Sequence, residues 1–199
     1  GQLVRNILVP GLDPNAFRGG VYVAASVNLE STMMLSLADG FAATGDAAPL
    51  SAAEVGPVFQ AAIARLTDAG LPAEAAAALS AVTVQVVDLA GNQVGTSLPG
   101  RILLDVNAAG IGWFIDPTPN ADEEFSAGSA SDAAALGRVD LLTVILHELA
   151  HQLGGHDLDA GEFPNHLLAE TLPPSQRRLP ESEELDALFA NGSLLDDLL

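Results

Sequence analysis

Three residues in the segment LLTVILHELAHQLGGHDLD, residues 141–159, have the types and spacing to bind and use a metal ion. His147 and His151 are four residues apart, so both side chains would project from the same face of a helix. Two imidazole groups at this spacing suit a tetrahedral zinc ion, whose nitrogen ligands lie at about 2.0–2.1 Å. Glu148 would lie roughly 80–100° around the helix from them, where its carboxylate can hydrogen-bond a water on the metal. The segment therefore predicts a zinc site with Glu148 as the general base of a hydrolytic reaction.

This spacing is specific, because the chain of 199 residues contains only four histidines. With that composition, a chance HExxH pattern has a probability on the order of one per cent. The alternative is that both histidines are ordinary core residues of a buried helix, with Glu148 exposed to solvent. Burying two histidines without polar partners in the most apolar helix of the chain would cost free energy. The metal site is therefore the favoured interpretation.

A zinc site of this kind needs a third protein ligand, and Gly154 would let the chain turn back towards the metal after the helix. Five residues beyond that glycine carry side chains that can bind a metal, namely His156, Asp157, Asp159, Glu162 and His166. Imidazole is chemically the better zinc ligand, which favours His156. His156 and Asp157 are adjacent, however, and adjacent side chains rarely point the same way. Their chemistry alone leaves the choice open.

The pattern of apolar residues predicts the helices that would position these side chains. Residues 139–153 are apolar nearly all round, as in a helix buried in the middle of a domain. The helix over residues 51–70 begins with a capping-box spacing, a serine followed three residues later by a glutamate, and ends at a glycine. A short alanine-rich helix follows over residues 73–80, and an amphipathic segment over residues 181–192 closes the chain.

Alternating apolar and polar residues predict strands in two regions. In the N-terminal region the strand is residues 21–30, with TMMLSLADGF as a candidate partner. In the middle of the chain the strands are AVTVQVVDLAG, GRILLDVNAAG and IGWFIDPTP, with turns at GNQVGTSLPG, a polar loop at NADEEFSAGSASD and one helical turn over residues 132–136. Helices and strands that occur in separate runs indicate an α+β fold.

The composition limits the classes of partner. The chain has 26 acidic residues against 7 basic ones, all arginine, and a net charge of −19. Such a surface would repel nucleic acid and anionic membranes. There are no cysteines, which excludes disulfides and thiolate metal sites. We expect no membrane span, because no run of 18 apolar residues is present, and no signal peptide at GQLVRNILVPG.

The segment HELAHQLGGHD has the pattern HExxHxxGxxD, which resembles the metzincin clan of zinc peptidases. The long motif of that clan ends in histidine, or in aspartate in some members. The resemblance implies that His147, His151 and Asp157 bind zinc and that Glu148 is the catalytic residue. His156, one position short of the motif, is then the alternative third ligand.

The wider sequence, about residues 51–180, resembles a metzincin-type domain of large exported bacterial surface proteins. The resemblance implies a small mixed sheet packed on two long helices, the second carrying HExxH. It divides the chain into an N-terminal β segment over residues 1–50, a zinc metallopeptidase-like domain over residues 51–180 and a C-terminal helix with an acidic tail over residues 181–199. It also implies a protein or peptide substrate, an extracellular or cell-surface location, and a monomer or one part of a multidomain chain.

The sequence departs from the clan at two points. Leu168 occupies the position where a methionine turn under the metal is expected, and the only methionines are Met33 and Met34. The only tyrosine is Tyr22, so no tyrosine follows the motif. Leu168 can still provide an apolar floor, so we expect metal binding to survive. Two functions therefore remain: a zinc endopeptidase, or a non-catalytic module that keeps the metal as a structural staple.

Residues 100–113 are a candidate edge strand for pairing with an extended substrate, with an ordinary core strand as the alternative. Arg177 and Arg178 are expected to make structural ion pairs in so acidic a chain. His166 is expected to be structural or to line the cleft.

Asp159 and Glu162 are expected to be solvated acids of a loop. The alternative is that they accept hydrogen bonds from the imidazole N–H groups of the metal site. Calcium is a further candidate as a structural ion, without an EF-hand spacing to support it. Residues 1–50 could be strands of the same sheet, a latency segment or the end of a neighbouring module.

Overall fold

The computed structural model describes residues 33–43, 45 and 47–190. In this part of the chain the fold is α+β, with helices and a mixed sheet. The predicted strand over residues 21–30 lies outside the described residues. No helix in the described ranges is long and apolar enough to cross a membrane.

The described ranges contain four helices and a set of strands, most of them short. The helices are α1 (Ala52–Asp68), α2 (Ala73–Ser80), α3 (Leu141–Gln152) and α4 (Ser182–Ala190). The longer strands are β1 (Met33–Leu37), β2 (Thr83–Val87), β3 (Gln93–Leu98) and β4 (Arg101–Asp105). The two-residue strands are β5 (Trp113–Phe114), β6 (Phe125–Ser126), β7 (Ser129–Ala130), β8 (Val139–Asp140) and β9 (Thr171–Leu172).

The main sheet has five strands in the order β2-β4-β3-β1-β9. Strand β3 is antiparallel to both of its neighbours, whereas β2 with β4 and β1 with β9 are parallel pairs. Strand β4 is therefore paired on both sides, so the prediction that residues 100–113 form an edge for substrate is wrong. The strand is the ordinary core strand that was the alternative.

Strand β3 corrects the prediction of turns over GNQVGTSLPG, because its residues QVGTSL are extended and paired on both sides. Its four central residues, Val94 to Ser97, are all buried, so apolar and polar positions do not alternate. A glycine in the middle also weakens the strand pattern. The predicted polar loop likewise contains a short hairpin, in which β6 pairs with β7.

Helix α1 forms as the sequence predicts. Glu54 accepts hydrogen bonds from the backbone N–H of Ser51 at 2.9 Å and from its hydroxyl at 2.6 Å. Such a bond satisfies a backbone donor that the first turn of a helix leaves free. The buried face runs from Val55 to Leu66 and packs on α3. The alanine-rich helix is confirmed as α2.

Helix α3 lies between α1 and the sheet, and its residues from Leu141 to His151 are all buried. It begins two residues later than predicted, because residues 139–140 form β8 and pair with Trp113 and Phe114 of β5. The Asp140 side chain caps the helix by accepting from the Thr143 backbone N–H at 3.2 Å. This all-round burial confirms the prediction of a central apolar helix.

Candidate metal centre

The two histidines of α3 and one aspartate beyond it bring three atoms together. The Nε2 atoms of His147 and His151 are 2.8 Å apart. Asp157 Oδ1 lies 3.2 Å from the first and 3.1 Å from the second. Both imidazoles are buried, and the aspartate side chain is 27% exposed. The three residues meet the geometric requirements of a group that could hold a metal ion.

Backbone carbonyls determine which imidazole nitrogens carry the proton. His147 Nδ1 is 2.8 Å from the carbonyl oxygen of Leu167, and His151 Nδ1 is 2.9 Å from that of Gly155. A carbonyl oxygen only accepts, so each neutral imidazole donates from Nδ1 and leaves a lone pair on Nε2. Burial lowers the pKa of His147, which favours this neutral form.

Three electron-pair donors therefore face one another in the protein interior. Asp157 Oδ1 is buried and accepts no hydrogen bond from the residues that the structure describes, and two bare imidazole nitrogens face it. A tetrahedral zinc ion with ligands at about 2.0–2.1 Å would place those ligands about 3.3 Å apart, close to the observed separations. Unpaired donors in this arrangement repel one another, and a cation among them would remove the repulsion. The residues fit a divalent metal.

A glycine turn brings Asp157 to the histidines. Gly154 has φ +85° and ends α3, as predicted, and the N–H of Gly155 then bonds back to Ala150 at 3.0 Å. A Cβ at position 155 would lie 2.8 Å from Leu168 Cδ1, so a glycine is needed for this close approach. Leu158 next pairs with the 168–169 segment, its N–H donating to Leu168 at 2.9 Å. These contacts determine where Asp157 lies.

Glu148 lies beside the three donors but is not one of them. Its side chain is fully buried, and Oε1 accepts from the backbone N–H of Leu35 in β1 at 3.3 Å. Within the described part of the chain, Oε2 has no hydrogen-bond partner. Burial raises the pKa of Glu148 well above its ordinary value. Gly95 of β3 makes room for the carboxylate, because a Cβ there would lie 2.5 Å from Oε1.

The other candidate ligands lie outside this group. His156 is exposed, as are Asp159 and Glu162 in the following loop. Asp159 Oδ1 accepts from Gly161 at 2.7 Å and neither acid serves as an imidazole acceptor. His166 Nε2 lies 3.4 Å from Glu184 Oε1, in agreement with a structural role.

Leu168, in the expected methionine position, is buried and belongs to the core. Sequence reasoning missed four other contributors: the carbonyls of Gly155 and Leu167, and Leu35 and Gly95 beside Glu148. The carbonyl acceptors leave no trace in a pattern of side chains. A glycine between buried residues of a strand was the one available signal for a close approach.

The arginine pair has two different environments. Arg177 forms the predicted structural ion pairs, with Asp116 at 2.7 Å, Asp140 at 2.9 Å and Asp122 at 3.1 Å. For Arg178 the predicted ion pair is wrong as far as the described residues go, since none of their carboxylates contacts it. Its guanidinium donates instead to the carbonyls of residues 169 and 171 and to the side chain of residue 176. Burial lowers the pKa of Arg178 to about 10. Through these bonds Arg178 stabilises residues 169–171, the segment that leads from Leu168 into β9.

Comparisons with protein-family models, with curated proteins and with solved structures found no match for this chain.

Proposed function

We propose that the protein is a zinc-dependent endopeptidase of metzincin type. The observation that carries this proposal is the convergence of two imidazole lone pairs and one carboxylate oxygen beside a separate buried carboxylate, Glu148. Two imidazoles with one carboxylate are a donor set used at catalytic zinc sites. A metal that served only as a staple would not need a second buried carboxylate without a full set of partners.

The residues around the site divide the chemistry between them. His147, His151 and Asp157 would hold the zinc ion, which when bound acts as a Lewis acid and activates water. The carbonyls of Gly155 and Leu167 orient the two imidazoles. Glu148 would take a proton from the attacking water and return it to the leaving amide nitrogen. Its burial excludes bulk water from this transfer.

The α+β fold supports the finer proposal of a metzincin-like arrangement. A long helix, α1, packs on the helix that carries HExxH, and the third donor follows a glycine turn, as the resemblance implies. Leu168 lies next to the carbonyl that orients His147 and would provide the floor of the site in place of methionine. We extend the proposal to an extracellular or cell-surface bacterial protein that acts on proteins or peptides.

The test is to add zinc to the metal-free chain and to measure cleavage of a mixed peptide library. Glu148→Gln is the decisive variant, because it removes the base and keeps the size of the side chain. We expect cleavage to disappear in Glu148→Gln while zinc remains bound, as measured by metal analysis after gel filtration. Bound zinc without cleavage, both by the unmodified chain and by a chain cut after Gly40 so that a peptide can replace β1, would indicate the non-catalytic module instead.

A second pair of variants tests the third ligand. Asp157→Ala removes one of the three converging donors, whereas His156→Ala removes the neighbouring exposed side chain. We expect Asp157→Ala to weaken zinc binding by at least about tenfold and His156→Ala to leave it nearly unchanged. Competition with a chromogenic chelator measures both constants. The reverse order would overturn the assignment.

A further inference from the structure

Strand β1 fills a slot between two other parts of the sheet. On one side it is antiparallel to β3, with Leu35 opposite Gly95, and on the other it is parallel to β9, with Ser36 opposite Thr171. Backbone bonds hold it at both edges: the N–H of Ser36 donates to residue 170 at 3.0 Å, and that of Leu37 to residue 92 at 2.8 Å. Without β1, both edges would present unpaired backbone groups.

The first half of β1 passes directly over the candidate metal centre. The backbone N–H of Met34 donates to Asp157 Oδ2 at 3.4 Å, and that of Leu35 donates to Glu148 Oε1 at 3.3 Å. Successive amides of a strand point to opposite edges, so the two carboxylates bind the strand from its two sides. These contacts use only the backbone of β1, and any extended peptide could make them.

With β1 in this slot the two histidines and Glu148 are at most 2% exposed, and the side chain of Leu35 is completely buried. Only the Asp157 side chain, at 27%, keeps part of its surface in solvent among the four metal-site residues. An endopeptidase must admit an extended chain to the metal and to its general base. Since Asp157 and Glu148 are already bonded to the backbone of β1, a peptide that used the same contacts would have to replace it.

The connection after β1 is exposed, whereas the strand itself is not. Residues 39–43 are exposed, including Phe41 at 48%. The chain therefore leaves β1 through exposed residues 39–43, where it can be cut without removing any residue of the core.

We propose that β1 is an internal occupant of the peptide-binding slot of this enzyme, and that a substrate must displace it. The proposal rests on the proposed function. A bound peptide would run antiparallel to β3 and place an apolar side chain where Leu35 lies. Since Glu148 contacts the amide nitrogen of Leu35, the bond before that residue is the one aligned for cleavage. The substrate class is thus extended peptides with a leucine-like residue after the cleaved bond.

The experiment uses the full chain with a site for a sequence-specific protease inserted after Gly40. Cutting there turns β1 from a tethered segment into a separate one that a peptide can replace. The probe is a fluorescently labelled peptide, TMMLSLA, with the sequence of residues 32–38, and fluorescence anisotropy measures its binding without added metal. We expect the cut chain to bind it at least about tenfold more tightly than the uncut chain, because the tether no longer competes.

The matched control is the same peptide with Leu35→Asp, which should bind the cut chain at least about tenfold more weakly because its anchor is charged. In the intact chain, Leu35→Asp should expel β1 and allow the unmodified peptide to bind. Absence of peptide binding by the cut chain overturns the proposal, whether that chain stays folded or loses its circular dichroism signal. Loss of fold would mean that β1 is an indispensable core strand.

Failure of this proposal can be told apart from failure of the proposed function. Peptide binding by the cut chain, without zinc-dependent cleavage, would leave the slot assignment standing and refute the peptidase. Cleavage by the uncut chain at the same rate as by the cut chain would support the peptidase and refute the role of β1 as an occupant.

Discussion

Helix α3 has a cluster of buried charged or polar groups near each end, and the two clusters differ in how their members are paired. At the start of the helix, Arg177 is bonded to Asp140 and Asp116 and lies 4.1 Å from the ring of Phe125. Near the other end, Asp157 Oδ1 and Glu148 Oε2 are buried and find no hydrogen-bond partner in residues 33–43, 45 and 47–190.

The contrast indicates what each cluster is for. Burying a charge is expensive unless it is paired, and the Arg177 cluster meets that condition with protein groups alone. The cluster near the C-terminal end of α3 gathers lone pairs and carboxylates, and no arginine of the described residues pairs with them. The Arg177 cluster is complete as a structural unit, whereas the other cluster is a group that could hold a metal ion.

The largest effect should come from breaking the complete cluster. Arg177→Met keeps most of the side-chain volume but leaves Asp116 and Asp140 buried without a counter-charge. Removing one partner of a buried pair typically costs about 3–5 kcal/mol, so we expect a loss of that order in the free energy of unfolding. Urea denaturation measures it, with the exposed Arg138→Met as control, which should change stability by less than about 0.5 kcal/mol. Similar losses for both variants would contradict the comparison.

The second effect should come from completing the other cluster. Zinc at about a hundred times its dissociation constant should stabilise the fold by about 2.7 kcal/mol, since it binds the folded chain. For a chain of this size, each kcal/mol of added stability raises Tm by about 2–4 °C. Differential scanning calorimetry with and without zinc measures the shift.

The controls for zinc are two histidine variants. His151→Ala removes a converging donor, so the increase in Tm should disappear. His166→Ala removes a histidine that pairs with Glu184 outside the cluster, so the increase should remain. An increase that survives in His151→Ala would show that zinc binds elsewhere.

A third variant tests the room left for the unpaired carboxylate. Gly95→Ala would place a methyl group 2.5 Å from Glu148 Oε1 and 2.9 Å from Val144 Cγ1. Such overpacking costs typically about 1–3 kcal/mol, and we expect a loss in that range. Gly56→Ala is the control, because that glycine lies on exposed α1 surface with nothing within 4 Å of the added carbon. The control should gain about 0.5–1 kcal/mol in the free energy of unfolding, measured by urea denaturation. If Gly95→Ala left that free energy unchanged, the Glu148 carboxylate would not be held tightly against β3.

The sequence predicts the parts of this molecule that depend on local pattern. Helix α1 follows from its apolar face and the Ser51–Glu54 cap, and the turn at Gly154 follows from the need for a positive φ. Asp157 was favoured over His156 by the spacing of the motif, and the structure brings Asp157 to the two imidazoles.

What the sequence does not reveal depends on contacts between distant residues. The bond between Leu35 and Glu148 joins residues 113 positions apart, so no local pattern indicates that β1 crosses the site. Strand β3 was missed because it is buried on both faces and its glycine serves the packing of Glu148 rather than a turn. Long-range packing constraints of this kind override the local preference of a segment.

The smallest effect should come from the exposed rim of the complete cluster, at Asp122. Its carboxylate is 39% exposed and bonds Arg65 at 2.9 Å and Arg177 at 3.1 Å. Burial alone would raise the pKa of Asp122, but the two guanidinium groups lower it below its ordinary value. Solvent screens such a pair, so Asp122→Asn should cost less than about 1 kcal/mol at pH 7.

The pH dependence of the stability lost in Asp122→Asn shows whether Asp122 stabilises the fold through its ion pairs or only through packing. A carboxylate whose pKa is lower in the folded state stabilises the fold above its unfolded pKa of about 3.9 and loses that contribution as pH falls through the folded value. The difference in Tm between the unmodified chain and Asp122→Asn should therefore be largest at neutral pH and shrink in acid. Asp186→Asn, on the exposed face of α4, is the matched control and should show little difference throughout. If the Tm difference for Asp122→Asn stayed constant into acid, the Asp122 side chain would act through packing. The stabilising ion pairs of the complete cluster would then be only those of Arg177 with Asp116 and Asp140.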